Sequence, residues 1–198
     1  MNGTVELKTE RLLLRRHQIE DAVVLFEKFG ADPKMFEYSG WNPYQTIAMA
    51  TETIGSFIKN YDDPCFYGWG IVYEGKLIGT VGAYDYDADK SRIEVGISIE
   101  RASWGRGFAT EALTAVLHYL TEHENIKIVS AWCAAENTGS QKAMEKAGMQ
   151  MVCVQEGALE INGQRYDKLI FEKHRAEQRS QSKNAEEMNT DGIKENRS

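Results

Sequence analysis

The feature that most constrains this chain is a single stretch of nineteen residues, Glu94 to Ala112. Ile93, Val95, Ile97 and Ile99 alternate with Glu94, Gly96, Ser98 and Glu100, the two-residue period of a strand with one apolar face. A glycine turn follows at once, Ser103-Trp104-Gly105-Arg106-Gly107. Beyond it Leu113, Val116, Leu117 and Leu120 recur at the spacing of one helix face. A strand that runs through glycines straight into a helix exposes main-chain amides and the positive end of a helix dipole. Such a turn either holds an anion, a pyrophosphate above all, or is a plain strand-to-helix connection. Arg106 would add charge from the side.

Two nucleotide-binding patterns fail on these residues. A Walker A loop needs Lys-Ser/Thr after its last glycine, where this chain has Phe108-Ala109. A G-x-G-x-x-G fingerprint needs a third glycine, where this chain has Thr110. A nucleotide-binding enzyme using the same turn is therefore remote.

The rest of the chain reads around this centre. Leu7–Arg15 reads as a first strand, and Glu20-Asp21 opens a helix whose apolar face is Ala22, Val23, Leu25, Phe26 and Phe29. Residues 32–44 read as a loop and 46–60 as a second helix. Residues 66–72 and 77–84 read as a hairpin turning at Glu74-Gly75-Lys76. A strand at 126–133 precedes a short helix at 137–147 closed by Gly148. Residues 150–155 and 168–172 read as final strands. The order predicts a mixed α/β domain with one sheet. We place the domain at 1–174 and a polar, disordered tail at 175–198, where Gln, Ser, Asn, Glu and Lys dominate.

Composition narrows the functions. With 198 residues and 42% hydrophobic content the chain builds one globular core. A net charge of −7 argues against nucleic acid, which needs clustered Lys and Arg. No apolar run approaches the roughly 18 residues of a membrane span. The first residues lack the basic and apolar regions of a secretion signal, which together with three cysteines in no CxxC spacing fits a cytoplasmic protein. His17, His118, His123 and His174 show no ligand spacing, so no metal is expected.

Three blocks, in order, resemble the GNAT superfamily of N-acetyltransferases, and its RimJ/RimL-like branch in particular. W-G-R-G-F-A-T-E-A resembles the acetyl-CoA pyrophosphate loop R/Q-x-x-G-x-G/A, with Gly107 and Ala109 on its last defined positions and Trp104 in place of Arg or Gln. A-E-N-T-G-S-Q-K-A-M-E-K-A-G-M resembles the downstream block, with Asn137, Ser140 and Gly148 on its defined positions and Met149 replacing Phe. K-T-E-R-L-L-L-R-R resembles the first strand. The resemblance covers roughly residues 5 to 173. It implies a central, mostly antiparallel mixed sheet flanked by helices.

It also implies acetyl-CoA as co-substrate and a primary amine as acceptor, and a homodimer would be unsurprising for the family. The cofactor contacts it implies are Gly96, Ile97, Ile99, Trp104, Gly105, Arg106, Gly107, Phe108, Ala109, Thr110, Asn137 and Ser140. Direct attack of an amine on a thioester needs a base, an oxyanion donor and help for the leaving thiolate. Glu94 is the candidate base; the alternative is a solvated strand carboxylate. Glu100 and Glu111 are rivals, Glu111 more naturally serving its own helix N-terminus. Many relatives carry an acidic Tyr seven residues after the Asn, where this chain has Met144. Ser140 then becomes the group that stabilises the thiolate, or else a helix cap, and Asn137 a pantetheine ligand or an N-cap. A bulge near Gly96-Ile97 would free the oxyanion amide.

Tyr38, Trp41, Tyr44, Phe66, Tyr67 and Trp69 line an acceptor pocket or belong to the core. A CoA-binding sensor without transferase activity is the competing function, kept open by Met144. The acceptor stays open among protein α-amines, antibiotics, polyamines and amino acids.

Overall fold

The computed structural model describes residues 1–30, 32–38 and 44–176. Among the described residues eight strands form one sheet in the order β1-β2-β3-β4-β5-β6-β8-β7. They are β1 (Leu7–Lys8), β2 (Leu12–Arg15), β3 (Tyr67–Tyr73), β4 (Lys76–Asp87), β5 (Arg92–Ile99), β6 (Ile128–Ala134), β7 (Gln150–Ile161) and β8 (Gln164–His174). Every neighbouring pair is antiparallel except β5 and β6, which are parallel. The sheet is therefore mixed and mostly antiparallel.

Helices cover both faces. On one face lie α3 (Phe108–His118), which continues as a π-turn over Tyr119–His123, and α4 (Thr138–Lys146). Phe108, Leu113, Val116, Leu117 and Leu120 of this layer pack on Leu14, Trp69, Ile71, Val81, Ile93 and Val95 of the sheet. At about 25 cal/mol per Å² this apolar burial is the main force holding the layers together. On the other face α1 (Asp21–Val24), extended by a π-turn over Leu25–Gly30, and α2 (Ile47–Asn60) pack Ala22, Leu25, Ala50 and Ile54 on Val72 and Leu77.

Local chemistry sets the ends. Thr46 caps α2 by accepting from the Met49 amide at 3.4 Å. Gly148, at φ +88°, takes the left-handed conformation that closes α4. Glu74-Gly75 and Asn162-Gly163 both have positive φ at two successive residues, the geometry that matches strand twist in a two-residue hairpin turn.

Three readings are corrected. Leu7–Arg15 is not one strand: the chain turns at Thr9, whose Oγ1 accepts from Leu12 N at 2.9 Å, so that β2 pairs back on β1. The β3–β4 turn has two residues rather than three, with Lys76 already paired to Tyr73. The last strands are far longer than 150–155 and 168–172, because 156–167 form the distal part of one hairpin. Within 32–44, Pro33–Phe36 form a 3₁₀ turn capped by Asp32. Trp41 and the tail from 177 onward lie outside the described residues. Arg175 still donates to Lys127 O at 2.9 Å, one residue past β8.

Two buried polar clusters tie the N-terminal segment down. Glu124, with no exposed side-chain surface, accepts from Tyr67 Oη (2.9 Å), Tyr119 Oη (2.7 Å) and Asn2 N and Nδ2 (both 3.0 Å). Truncation to alanine leaves the buried Tyr67 phenol and the Asn2 amide without their acceptor, while Tyr119 Oη keeps Gly3 O at 2.8 Å. Glu124→Ala should lower the unfolding free energy by about 3 kcal/mol in urea with an unchanged slope.

Asp21 accepts both terminal nitrogens of Arg15 at 2.8 Å, His17 Nδ1 at 3.0 Å and Gln18 N at 3.0 Å. Burial alone would raise its pKa, but these donors override it and hold the carboxyl well below the usual range. Its contribution to stability is present above the unfolded carboxylate pKa, about 4, and is lost as pH falls below it. Wild-type stability should drop between roughly pH 4 and 2, while Asp21→Asn, already weaker by about 2 kcal/mol at pH 7, should show a flatter profile.

Candidate active site

The site begins where β5 and β6 part. They pair only at Arg92–Ile128, Ile93–Val129 and Glu94–Ser130. Beyond that β5 runs on beside β4 to Ile99, and β6 beside β8 to Ala134. The main chain shows which groups face the opening. Glu100 N donates to Ile78 O on the β4 side at 2.8 Å. Ile93 O accepts from Ser130 Oγ on the β6 side at 3.1 Å, and Ile99 O from Trp104 Nε1 at 2.7 Å. Strand alternation then turns the amides of Ile97 and Ile99 toward the gap. The expected bulge at Gly96-Ile97 is absent, since β5 keeps continuous register with β4 from Ile99 to Glu94. The divergence of two parallel strands, rather than a bulge, leaves these amides without a strand partner.

At the end of β5 the chain enters the glycine turn. Glu100 is buried, accepts from Ser103 Oγ at 3.1 Å and pairs with Lys28 at 2.8 Å, which pins the 3₁₀ turn Arg101–Ser103 and occupies this rival base. Gly105 and Gly107 have φ of +74° and +81°, a region costly for other residues. Gly107 begins α3, and the first helical bond is Glu111 N to Gly107 O at 3.0 Å. The amides of Phe108, Ala109 and Thr110 therefore have no partner within the helix. The side chain of Phe108 is itself buried. Trp104 is half exposed.

Two guanidinium groups flank this helix start. Arg106 lies over the rings of Tyr73 (4.8 Å) and Phe108 (4.7 Å). Arg11, which sequence reasoning missed, also lies 4.7 Å over Phe108 and donates to Arg106 O at 3.1 Å. The β1–β2 turn delivers it. Glu111 does not serve its own helix end. It accepts from Thr9 Oγ1 at 2.5 Å and from Arg11 N at 2.9 Å, and pairs with the Arg11 guanidinium at 2.6 Å. Partial burial opposes ionisation, but these donors keep its carboxyl below the ordinary value.

On the same face, Asn137 Oδ1 accepts from Ser140 N at 3.1 Å and so caps α4. The Ser140 hydroxyl makes no hydrogen bond among the described residues, so the cap is Asn137 and not Ser140. Met144 is buried in the core.

Glu94 stands on the other face. Its Oε1 accepts from Trp132 Nε1 at 2.8 Å, and Lys168 Nζ lies 4.6 Å over the Trp132 ring. The Tyr84 hydroxyl sits above Gly96, so close that a Cβ there would lie 2.9 Å from its oxygen. Burial, then the Glu94 carboxylate, push the Tyr84 phenol above its ordinary value. Trp132, Lys168 and Tyr84 were not among the residues expected from sequence. Glu94 and Ser140 are not in contact; the β5–β6 opening lies between the two faces that carry them.

The aromatic residues divide. Tyr67 and Trp69 are core. Phe66 packs edge-on with Phe57 and Tyr61, and Tyr44 packs against the α1–α2 cluster. Tyr38 meets Tyr166 edge-on at 5.8 Å. Among the described residues no group of three or more His, Cys, Asp or Glu is placed to hold a metal, and no helix is long and apolar enough to cross a membrane. Cys133 is buried, which pushes its thiol up to about 11, while Cys65 and Cys153 are exposed and unpaired.

A strand opening beside a glycine turn and a bare helix start is the arrangement of an acyl-CoA acyltransferase, and residues 11–150 match the model of the acetyltransferase (GNAT) domain. The chain belongs to the GNAT family and is an acetyl-CoA-dependent N-acetyltransferase. It is 32% identical over 150 residues to the uncharacterized N-acetyltransferase p20 of Bacillus licheniformis, covering 73% of this chain and 82% of that protein. It is 29% identical to the uncharacterized N-acetyltransferase YoaA of Bacillus subtilis (strain 168), covering 83% and 94%.

Among solved structures, the ribosomal L7/L12 α-N-protein acetyltransferase RimL, in complex with coenzyme A, superposes with a TM-score of 0.77 at 14% identity, over 86% of this chain and 98% of that one. The microcin C7 self-immunity acetyltransferase MccE, in complex with acetyl-CoA and AMP, gives 0.74 at 19%, over 84% and 93%. These two likenesses show the fold.

Proposed function

We propose that the chain transfers the acetyl group of acetyl-CoA to a primary amine, of a small molecule or a protein N-terminus, by direct attack in a ternary complex. The carrying observation is the opening between β5 and β6, with Glu94 on one face and the helix starts of α3 and α4 on the other. In this reading the amides from Gly105 to Thr110 hold the pyrophosphate, with Arg106 beside them and Trp104 closing the turn. Gly96, Ile97 and Ile99 line the pantetheine and thioester, and the Ile97 amide donates to the developing oxyanion. Asn137 and Ser140 flank the pantetheine arm from α4.

The incoming amine gives its proton to Glu94, directly or through one water. Its nitrogen bonds to the thioester carbonyl carbon as the C–S bond breaks. The sulfur leaves as thiolate, which the Ser140 hydroxyl stabilises, and takes up the second proton released by the attacking nitrogen to become CoA thiol. Trp132 holds Glu94 toward the gap.

Continuous assay of CoA thiol release over a panel of primary amines, with mass spectrometry of the products, tests this. Stoichiometric N-acetylation of an amine supports it. Tight acetyl-CoA binding with no amine acetylated, peptide N-termini included, would return the chain to a binding role.

A further inference from the structure

The face that carries Glu94 holds a second charge of opposite sign. Lys168 on β8 pairs with no carboxylate within 4.0 Å among the described residues, and Glu94 with no cation. The nearby Glu172 is already taken by Arg92 and His174. Between the two lies the Trp132 indole, whose N–H is bonded to Glu94 at 2.8 Å and whose ring carries the Lys168 ammonium at 4.6 Å. Both charges are half-buried and fixed by the same rigid ring. Pairing on the sheet puts their residues on one face: Glu94 opposite Ser130 on β6, Lys168 opposite Ala134 on β6, and Trp132 between them.

An isolated anion and an isolated cation, held apart by an indole beside the opening, complement a ligand with an amine at one end and an acid at the other. We propose that the acceptor is a small amino carboxylate, its amine directed to Glu94 and its carboxylate to Lys168, with Trp132 as the floor between them. This rests on the transferase reading for the site's chemistry, and gives that site its substrate class. A polyamine would meet Lys168 as a like charge. A peptide N-terminus lacks a carboxylate beside its amine. The Lys168 ammonium is thus a specificity determinant, not part of the bond-making step.

The test compares matched acceptors. The twenty standard amino acids, their C-terminal amides and the corresponding decarboxylated amines are offered to wild type, Lys168→Met and Lys168→Arg with saturating acetyl-CoA. Calorimetric binding of the same compounds is measured with CoA present. At least one free amino acid should be acetylated with kcat/KM ten-fold or more above its amide.

Lys168→Met keeps the packing on Trp132 and should remove that preference through KM, with kcat and the rate on amides little changed; Lys168→Arg should restore it. Equal or faster acetylation of amides or simple amines, a Lys168→Met loss shared by all acceptors, or acetylation of Lys168 itself as the only product would overturn the assignment while the transferase reading stood. Amino acids that bind but are never acetylated, while other amines are, would overturn the assignment; amino acids that bind while no amine at all is acetylated would keep the site as a binding site and remove the transferase reading. Neither binding nor turnover of any amino carboxylate would overturn the assignment.

Discussion

Glu94→Gln is expected to lower kcat/KM for amine acetylation by about 10² to 10³-fold at neutral pH, the usual contribution of a positioned base. Glutamine preserves the shape of the side chain and can still accept from Trp132 Nε1, so the fold and the acetyl-CoA affinity should not change. What is lost is the capacity to take the proton of an ammonium acceptor. The variant then depends on acceptor that arrives already neutral, a fraction that rises with pH. Its deficit against wild type should therefore narrow steadily between about pH 7 and 9.5, approaching the pKa of a typical amine. A steady-state pH profile reads this directly. A uniform loss at all pH values would mean that Glu94 shapes the site without taking a proton.

Gly107→Glu is expected to weaken acetyl-CoA binding by 100-fold or more, which is about 2.7 kcal/mol. Two effects add. A side chain at φ +81° is strained by about 1–2 kcal/mol. A Cβ at this position lies 3.5 Å from Arg11 Nη2, so the new carboxylate is within reach of the guanidinium that flanks the helix start and would place negative charge where phosphate is proposed to bind. Gly107→Ala carries the strain without the charge and should lose only about tenfold. Calorimetry on both variants separates the two effects, and a melting curve shows whether the turn still folds.

What the sequence made legible was periodic and local. The alternation from Ile93 to Ile99 and the helix face from Leu113 to Leu120 define β5 and α3 without any distant contact. The turn between them is legible because glycine at two positions is a backbone requirement. The mixed, mostly antiparallel sheet followed from the family resemblance.

What failed depended on contacts far apart in the chain. Leu12-Leu13-Leu14 suggested one strand through Arg15, whereas Thr9 and Arg11 make a turn held by Glu111, a hundred residues away. Free amides at Ile97 and Ile99 come from two strands diverging, which only the pairing of β5 and β6 fixes. The same holds for Trp132, Lys168 and Tyr84: each is unremarkable in sequence, and sheet order alone brings them to Glu94. The terminal hairpin extends beyond the expected strands: Glu156 to Asp167 carry only a brief apolar alternation, at Leu159 and Ile161, although Asn162-Gly163 is a strong two-residue turn signal.

The central claim is that acetyl-CoA lies in the β5–β6 opening with its pyrophosphate on the start of α3. Amide hydrogen exchange of the full chain with and without acetyl-CoA, with ATP as the control, measures this most directly. Protection confined to residues 95–110 and 135–141, and absent with ATP, is the expected result. Protection centred elsewhere, such as the groove between residues 5–9 and α3, or equal protection by ATP, would contradict it.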